Sequence, residues 1–390
     1  MIPAVEVGEA RVFLGDCRDV LKTLADCSVD SVVTDPPYEL GFMGKKWDST
    51  GIAYDVTVWE ECLRVLKPGG HILAFGGSRT FHRMAVAIED AGFEIRDSIA
   101  WISSKTFPKS LNVRKAIDKT GVAGSAWEGW GTGLKNVVEP IVVGRKPLVG
   151  TVAANVLEWG VGGLNIDASR IATSDSFGGG AKATSGFSKG YEHDGWVPGS
   201  DKGRWPANVI LDEYSAGLLD EQTGHLHSAG RDRAAPGGKT FGGAEMRAGE
   251  GQWYRDSGGA SRFFYCATAS KSDRNEGLDG LADGVAGSFE GNVAELSGRK
   301  IGANPDKPNQ PGKNTHPTVK PTTLMRYLIK LVTPAGGTVL DPFTGSGSTG
   351  KAALLDGYKF VGAELTEEYL PIIEGRLTWA QENTDTGTLF

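Results

Sequence analysis

Two blocks of short apolar runs alternating with segments of helical period frame this chain, and such alternation admits few folds other than strands and helices wound onto a mostly parallel sheet. In the first block the apolar runs are Ala10–Leu14, Ser31–Thr34, His71–Phe75, Glu94–Trp101 and Val137–Val143. Thr57–Leu66 and Thr80–Ala91 read as helices, the first stopped by Pro68-Gly69-Gly70 and the second by Gly92. The second block opens at Pro321, which suits a first helical turn, and Leu324, Leu328 and Leu331 follow at helical spacing until Pro334-Ala335-Gly336-Gly337. Thr338–Leu340 then reads as a strand, a helix runs through Leu355, and the strand Phe360–Ala363 delivers Glu364. The last dozen residues read as frayed.

Between the blocks, from about Gly150 to Pro311, periodicity breaks down. The 390 residues include 56 glycines and are 39% hydrophobic, below the roughly 45–50% of an average globular chain. Gly178–Gly180, Gly237–Gly243 and Gly277–Gly291 punctuate this stretch, and only Trp205–Leu211 and Arg262–Ala267 look like short strands. The expected organisation is a core split by an insertion, with boundaries at 1–150, 151–311, 312–378 and a tail at 379–390. Loops carried on a rigid scaffold hold much of a protein's recognition chemistry.

The net charge of -7 argues, taken whole, against a polyanionic partner. Its distribution says otherwise. Lys105, Lys109, Arg114, Lys115, Lys119, Lys135, Arg145 and Lys146 make one basic stretch, and Arg299, Lys300, Lys307, Lys313, Lys320 and Arg326 another. Each of these residues is also readable as ordinary solvated surface. Cys17, Cys27, Cys62 and Cys266 are too dispersed for a metal pair or a disulfide framework, so reduced thiols and a cytoplasmic location are expected. Neither a membrane-length apolar run nor a secretion signal is apparent.

Asp35-Pro36-Pro37-Tyr38 follows the apolar run Ser31–Thr34 directly. Two prolines fix φ and remove two backbone donors, which leaves a rigid turn offering only acceptors. Asp35 and the Pro36 carbonyl could each take one hydrogen of an aromatic amine, turning the nitrogen lone pair out of the ring plane, while Tyr38 supplies a flat surface for a base. The bland alternative is a Pro-Pro turn with an Asp cap.

Asp341-Pro342-Phe343-Thr344-Gly345-Ser346-Gly347 sits between a strand and a helix, where glycines admit a ligand to the backbone. Gly345 to Gly350 matches the G-x-G-x-x-G of nicotinamide enzymes, with Glu364 as the acidic residue beyond. Gly345 to Lys351 also matches a phosphate loop, although Ala352 replaces the magnesium-binding Ser or Thr. A methyl-donor site is the third reading: Asp341 would face the ammonium of an amino-acid tail, and Glu364 would accept both hydroxyls of a ribose.

At these motifs the chain resembles the DNA amino-methyltransferases of the β group, in which the catalytic motif precedes the cofactor motif. The resemblance covers roughly Ala10 to Val143 and His316 to Leu377. It implies a Rossmann-like α/β sheet that binds S-adenosylmethionine and methylates a flipped-out base in double-stranded DNA. Asp35, Pro36, Pro37 and Tyr38 would hold the target amine, Phe343 to Gly347 the cofactor, and Glu364 its ribose. His316-Pro-Thr-Val-Lys320-Pro321 matches the segment whose lysine and neighbours cover the methionine moiety, and Gly15-Asp16-Cys17 the strand end that meets the adenine ring. By composition alone His316 is a turn histidine and Asp16 a helix cap.

The middle resembles a phage and prophage subgroup through Gly163-Leu-Asn-Ile-Asp167, Arg204-Trp-Pro-Ala-Asn208 and Arg262-Phe-Phe-Tyr-Cys266. Target recognition would lie in this insertion. Thr268 stands where that subgroup often has a lysine. In the family that the chain resembles, Asp rather than Ser opening the Pro-Pro turn tends to accompany adenine N6, which is the expected target, with cytosine N4 left open. No metal is expected, since the H-x-E and P-C-x-x-C signature of zinc deaminases is missing. Gly186-Phe-Ser-Lys-Gly190 spells a hydrolase elbow but follows no strand. A nucleoside-triphosphatase and a DNA-binding module without catalysis stay open as other classes. Also left open are a homodimer and the choice between a restriction-modification partner and an orphan phage enzyme.

Overall fold

The computed structural model describes residues 1–41, 46–104, 108, 110–173, 203–227, 257–268, 272–282 and 313–384. In chain order these give β1 (Val5–Val7), β2 (Ala10–Leu14), α1 (Cys17–Lys22), β3 (Val29–Thr34), α2 (Val56–Val65), β4 (Leu66–Phe75), α3 (Phe81–Asp90) and β5 (Glu94–Ile102). Next come α4 (Val113–Asp118), β6 (Val138–Arg145), α5 (Val152–Trp159), β7 (Val209–Asp212), α6 (Glu213–Thr223), β8 (Leu226–His227), β9 (Ser257–Gly258) and β10 (Tyr265–Ala267). The last elements are α7 (Thr322–Val332), β11 (Thr338–Asp341), α8 (Ser348–Leu355), β12 (Lys359–Glu364) and α9 (Leu370–Glu382).

Ten strands join in the order β1-β2-β12-β11-β3-β4-β6-β5-β7-β10. All pairings are parallel except β1 with β2 and β6 with its two neighbours. Strand period explains the two-sided core. Val33, Leu73 and Val339 face a cluster with α7, α8 and α9, while Val32, Ile72 and Leu340 face a cluster with α1, α2 and α3. Each such aliphatic side chain, wholly withdrawn from water, contributes about 1.5–3 kcal/mol. Chain order and strand order part at the centre. From β3 the chain proceeds to β4 on one side, and from β11 to β12 on the other, so β3 and β11 flank the switch point where open α/β sheets bind ligands.

Three expectations need correction. Helix α2 ends at Val65, and Pro68-Gly69-Gly70 lies inside β4 rather than stopping a helix. The ladder slips between Val29 and Ser31 opposite this point, and Gly69 takes φ +79°. Second, α9 runs to Glu382 with Ala380 buried, so the tail begins later than residue 379.

The third concerns the insertion, which is partly built into the core: β7 and β10 extend the main sheet beyond β5. The subgroup landmarks meet there. Arg204 donates from Nη1 to the Arg262 carbonyl at 3.1 Å, Arg170 to the Gly203 carbonyl at 3.1 Å, and Asn165 N to the Leu331 carbonyl at 2.8 Å. Tyr265 stacks on Tyr327 of α7 with ring centroids 4.0 Å apart. The tracts Gly178–Gly180 and Gly237–Gly243 and the motif Gly186–Gly190 lie outside the described residues, as do Lys105, Lys109, Arg299, Lys300 and Lys307. No helix of the described residues is long and apolar enough to cross a membrane.

Candidate active site

The residues expected to form the catalytic turn and the cofactor site sit at or beside the carboxyl end of one of four adjacent parallel strands, β2, β12, β11 and β3, or in the approach to α7. The tips of β3 and β11 are tied together by Thr34, whose Oγ1 donates to Asp341 Oδ1 at 2.6 Å.

Asp35 to Tyr38 leave β3 as an extended turn. Lys320 Nζ donates to Asp35 Oδ2 at 2.7 Å and to the Tyr38 hydroxyl at 3.1 Å, and lies 3.4 Å from Glu139 Oε2. The Tyr38 hydroxyl in turn donates to Glu139 Oε2 at 2.8 Å. The ammonium also lies 4.9 Å from the centre of the Phe75 ring and 5.3 Å from that of Tyr38. Burial alone would lower the Lys320 pKa, but the carboxylates of Asp35 and Glu139 outweigh it and hold the amine above its ordinary value. The other oxygen of Asp35, Oδ1, is buried and has no hydrogen-bond donor among the described residues. A buried carboxylate oxygen left without a donor is costly, so this atom marks a place for one.

The loop after β11 is organised from within. Asp341 is buried; Oδ1 accepts from Thr34 and from Phe343 N at 3.0 Å, and Oδ2 accepts from Thr349 Oγ1 at 2.6 Å. Burial raises its pKa to about 6 against these donors. The carboxylate of Asp341, expected to face an ammonium, is held from within the protein and shapes the loop. Phe343 packs against Trp59, ring centroids 6.2 Å apart. Thr344 N donates to the Ala363 carbonyl at 3.0 Å, which fixes the loop on β12. Gly345 and Gly347 take φ +54° and +75°. A Cβ on Gly345 would stand 3.0 Å from Nε2 of His316, so both φ and space call for glycine. Ser346 is held by Arg376, buried in α9, whose Nη1 donates to its carbonyl at 2.9 Å and to its hydroxyl at 3.0 Å.

Glu364 closes the other side. Oε2 accepts from Gly345 N at 2.7 Å and Oε1 from Thr366 N at 2.8 Å, which leaves each oxygen lone-pair capacity for a hydroxyl. Burial raises its pKa to about 7. His316 is buried, shares a 2.6 Å hydrogen bond between Nδ1 and the Thr318 carbonyl, and is pushed down to about 4 by burial, so it is a neutral wall. Trp47 stacks over it with centroids 6.4 Å apart and Tyr369 meets it edge-on at 4.7 Å. Asp16 caps α1, accepting from Arg18 N at 2.9 Å and pairing with the Arg18 guanidinium, which lowers its pKa. The buried Cys17 thiol is pushed up to about 12 by desolvation and is unreactive.

The phosphate-loop reading fails on Lys351. Its side chain is fully buried and bonded to Asp273 Oδ1 and Glu276 Oε2, each at 2.7 Å, so it cannot reach a phosphate over the loop. Gly350 is instead a packing glycine, since a Cβ there would lie 2.8 Å from Leu377 and from Phe360.

The family model described as DNA methylase, N6_N4_Mtase, matches residues 29–375. The chain belongs to that family. Over 76 residues, 20% of this chain and 34% of the relative, it is 43% identical to YubD of Escherichia coli K12. Over 110 residues, 27% of this chain and 36% of the relative, it is 31% identical to the type II methyltransferase M.HindIII of Haemophilus influenzae. The matched stretch thus spans about a third of these relatives' length. Among solved structures, the cytosine-N4-specific PvuII DNA methyltransferase aligns over 96% of this chain and 88% of its own, at 14% identity and a TM-score of 0.48.

In this DNA methylase family member, three site residues escaped the sequence reading. Glu139 interrupts the apolar run of β6, and an acid beside Pro140 in a buried strand was the available signal. Arg376 lies on the apolar face of α9 among Ile372, Ile373 and Leu377, where a lone charge asks for a partner. Asp48 accepts from Glu39 N at 3.0 Å and Leu40 N at 3.3 Å, pinning the chain after Tyr38; nothing in its local sequence announces this. The described members of the second basic stretch are spent internally: Lys313 pairs with Asp279, Lys320 with Asp35 and Arg326 with Asp356.

Proposed function

We propose that the chain methylates the N6 amine of adenine in double-stranded DNA, with the base turned out of the helix into the cleft between Tyr38 and Phe343. One observation carries the reading: the buried, donor-less Oδ1 of Asp35, beside a proline carbonyl and one strand away from a glycine loop. An N–H of the amine donates to that oxygen, and the Pro36 carbonyl accepts the second hydrogen. Both bonds would draw the lone pair out of conjugation and stabilise the positive charge that grows on nitrogen as the N–C bond forms and the donor's sulfur–methyl bond breaks, leaving a neutral thioether; the surplus proton on nitrogen then passes to Asp35 or to water.

S-adenosylmethionine, when bound, supplies the electrophilic methyl group. The residues of the cleft suit it. Glu364 offers two acceptors to a ribose diol, Gly345 to Gly347 admit the ligand to the backbone, and His316, neutral, with Trp47 forms an apolar wall. Asp16 and Cys17 stand at the neighbouring strand tip, where an adenine ring would lie. Lys320 belongs with Asp35 rather than with the cofactor: occupying Oδ2, it leaves Oδ1 as the acceptor for substrate. The core takes in residues 1–150, the strands β7 and β10 of the insertion and the segment from 312 through α9, and target reading is assigned to the rest of 151–311.

The test is incubation with radiolabelled S-adenosylmethionine and bacterial chromosomal DNA, followed by nucleoside analysis. N6-methyladenine is expected. N4-methylcytosine would move the reading to the other base, and no labelled nucleoside from a protein that binds the cofactor would end it.

A further inference from the structure

Residues 110–136, between β5 and β6, have almost no place in the core. Of residues 110–136 only Gly124 is buried, and α4 buries nothing. The segment is held by its own bonds: Val113 N donates to the Trp130 carbonyl at 3.0 Å, and Thr132 N to Ser110 Oγ at 2.9 Å. Two tryptophans meet edge-on at its tip, Trp127 and Trp130, centroids 5.2 Å apart, 44% and 59% exposed. A soluble surface gains nothing from exposing two indoles unless something covers them.

Its position and charge say what does. The segment leaves from the carboxyl end of β5, the edge that carries Asp35, and Ser103 N donates to the Val137 carbonyl at 2.8 Å where it returns. Glu139, two residues on, touches Tyr38 and Lys320. Residues 110–136 hold four bases (Arg114, Lys115, Lys119, Lys135) and two acids (Asp118, Glu128), a net +2 in a chain of net -7. Arg114 pairs with both acids, which leaves Lys115, Lys119 and Lys135 uncompensated.

We propose that this projection is a duplex-DNA contact surface beside the cleft, with Trp127 and Trp130 packing against bases or sugars and Lys115, Lys119 and Lys135 meeting phosphates. The substrate class rests on the function proposed above; the location does not. It moves part of DNA engagement out of the 151–311 insertion, to the lip of the catalytic cleft. Aromatic stacking holds a base that has left the helix, and lysines supply sequence-independent attraction.

The experiment compares wild type, W127A/W130A and K115Q/K119Q/K135Q by fluorescence anisotropy with a labelled mixed-sequence duplex over a salt series, and by calorimetric titration with S-adenosylmethionine. Loss of both tryptophans is expected to weaken duplex binding by about tenfold or more with cofactor affinity unchanged. The lysine variant should flatten the slope of log K against log salt by about 0.9 for each phosphate that is no longer neutralised. Unchanged duplex affinity in both variants overturns the proposal, as does a wild-type dimer that W127A/W130A converts to monomers while still binding duplex as before. Should W127A/W130A also lose the cofactor, the lysine variant, whose side chains touch no core, decides alone. Wild type that binds duplex through these residues yet transfers no methyl group would remove the proposed function and leave this surface standing.

Discussion

Lys320 and Asp35, 285 positions apart in the chain, are joined by a 2.7 Å bond between Nζ and Oδ2. The ammonium has two carboxylates around it, Asp35 and Glu139, so the cluster of three carries a net negative charge beside the oxygen that would receive the amine. Removing Lys320 would leave two half-buried carboxylates without the cation they share. Lys320→Met is expected to lower single-turnover methyl transfer by about a hundredfold or more and to destabilise the fold by about 3 kcal/mol. Cofactor affinity should change little. Quench-flow with labelled cofactor and urea denaturation check the two effects; a raised cofactor Kd with an unaltered rate would return Lys320 to the cofactor side.

Glu139 acts through Lys320 and Tyr38. Glu139→Gln should slow transfer by about tenfold, and the same change in a Lys320→Met background should cost far less than that. A double-mutant cycle in single-turnover rate measures the coupling, and full additivity would show that the two act separately.

Asp35→Asn keeps the shape of the turn but puts a donor where an acceptor is needed. Transfer should fall by about a thousandfold or more while S-adenosylmethionine still binds within about threefold of wild type. Calorimetry and transfer assays on one preparation give both numbers.

Glu364 links pH to stability and to ligand binding. Its carboxyl, at about 7 in the fold against 4.5 as reference, is raised, so the stability it contributes is complete below pH 4.5 and is lost as pH rises through about 7. That difference is on the order of 3 kcal/mol at most. Melting curves between pH 5 and 8 should show a decline that Glu364→Gln flattens. Cofactor affinity should rise over the same window, since the ionised form accepts both ribose hydroxyls.

Gly345→Ala would force a Cβ against His316 at φ +54°. A penalty of about 1–2 kcal/mol for the left-handed backbone, with displacement of the His316 ring, should weaken cofactor binding about tenfold or more. The duplex affinity of the protein should be unaffected, as measured by anisotropy.

The local features of this chain were legible because local rules govern them. Five apolar runs of the first block became β2 to β6, the Asp35 turn followed from two prolines, and the loop at Gly345 from glycines between a strand and a helix. The bland reading of Asp16 as a helix cap was equally local, and the geometry includes that cap. Within the insertion, Trp205–Leu211 and Arg262–Ala267 were legible as short strands and overlap β7 and β10; their place in the main sheet was not, since strands of four and three residues carry no pattern that names a neighbour.

The sequence alone therefore determined the central strands, the helices after β3, β4 and β11 and the one before β11, and that an acceptor turn and a glycine loop exist. Only the tertiary structure decided which side chains meet: Lys320 with Asp35, Lys351 with Asp273, and Asp341 with Thr34 and Thr349. Periodicity and turn chemistry act over a few bonds, whereas the partner of a charge depends on the order of strands in the sheet. That order is a property of the packed core, and here it sets the tips of β3 and β11 side by side although some three hundred residues separate them.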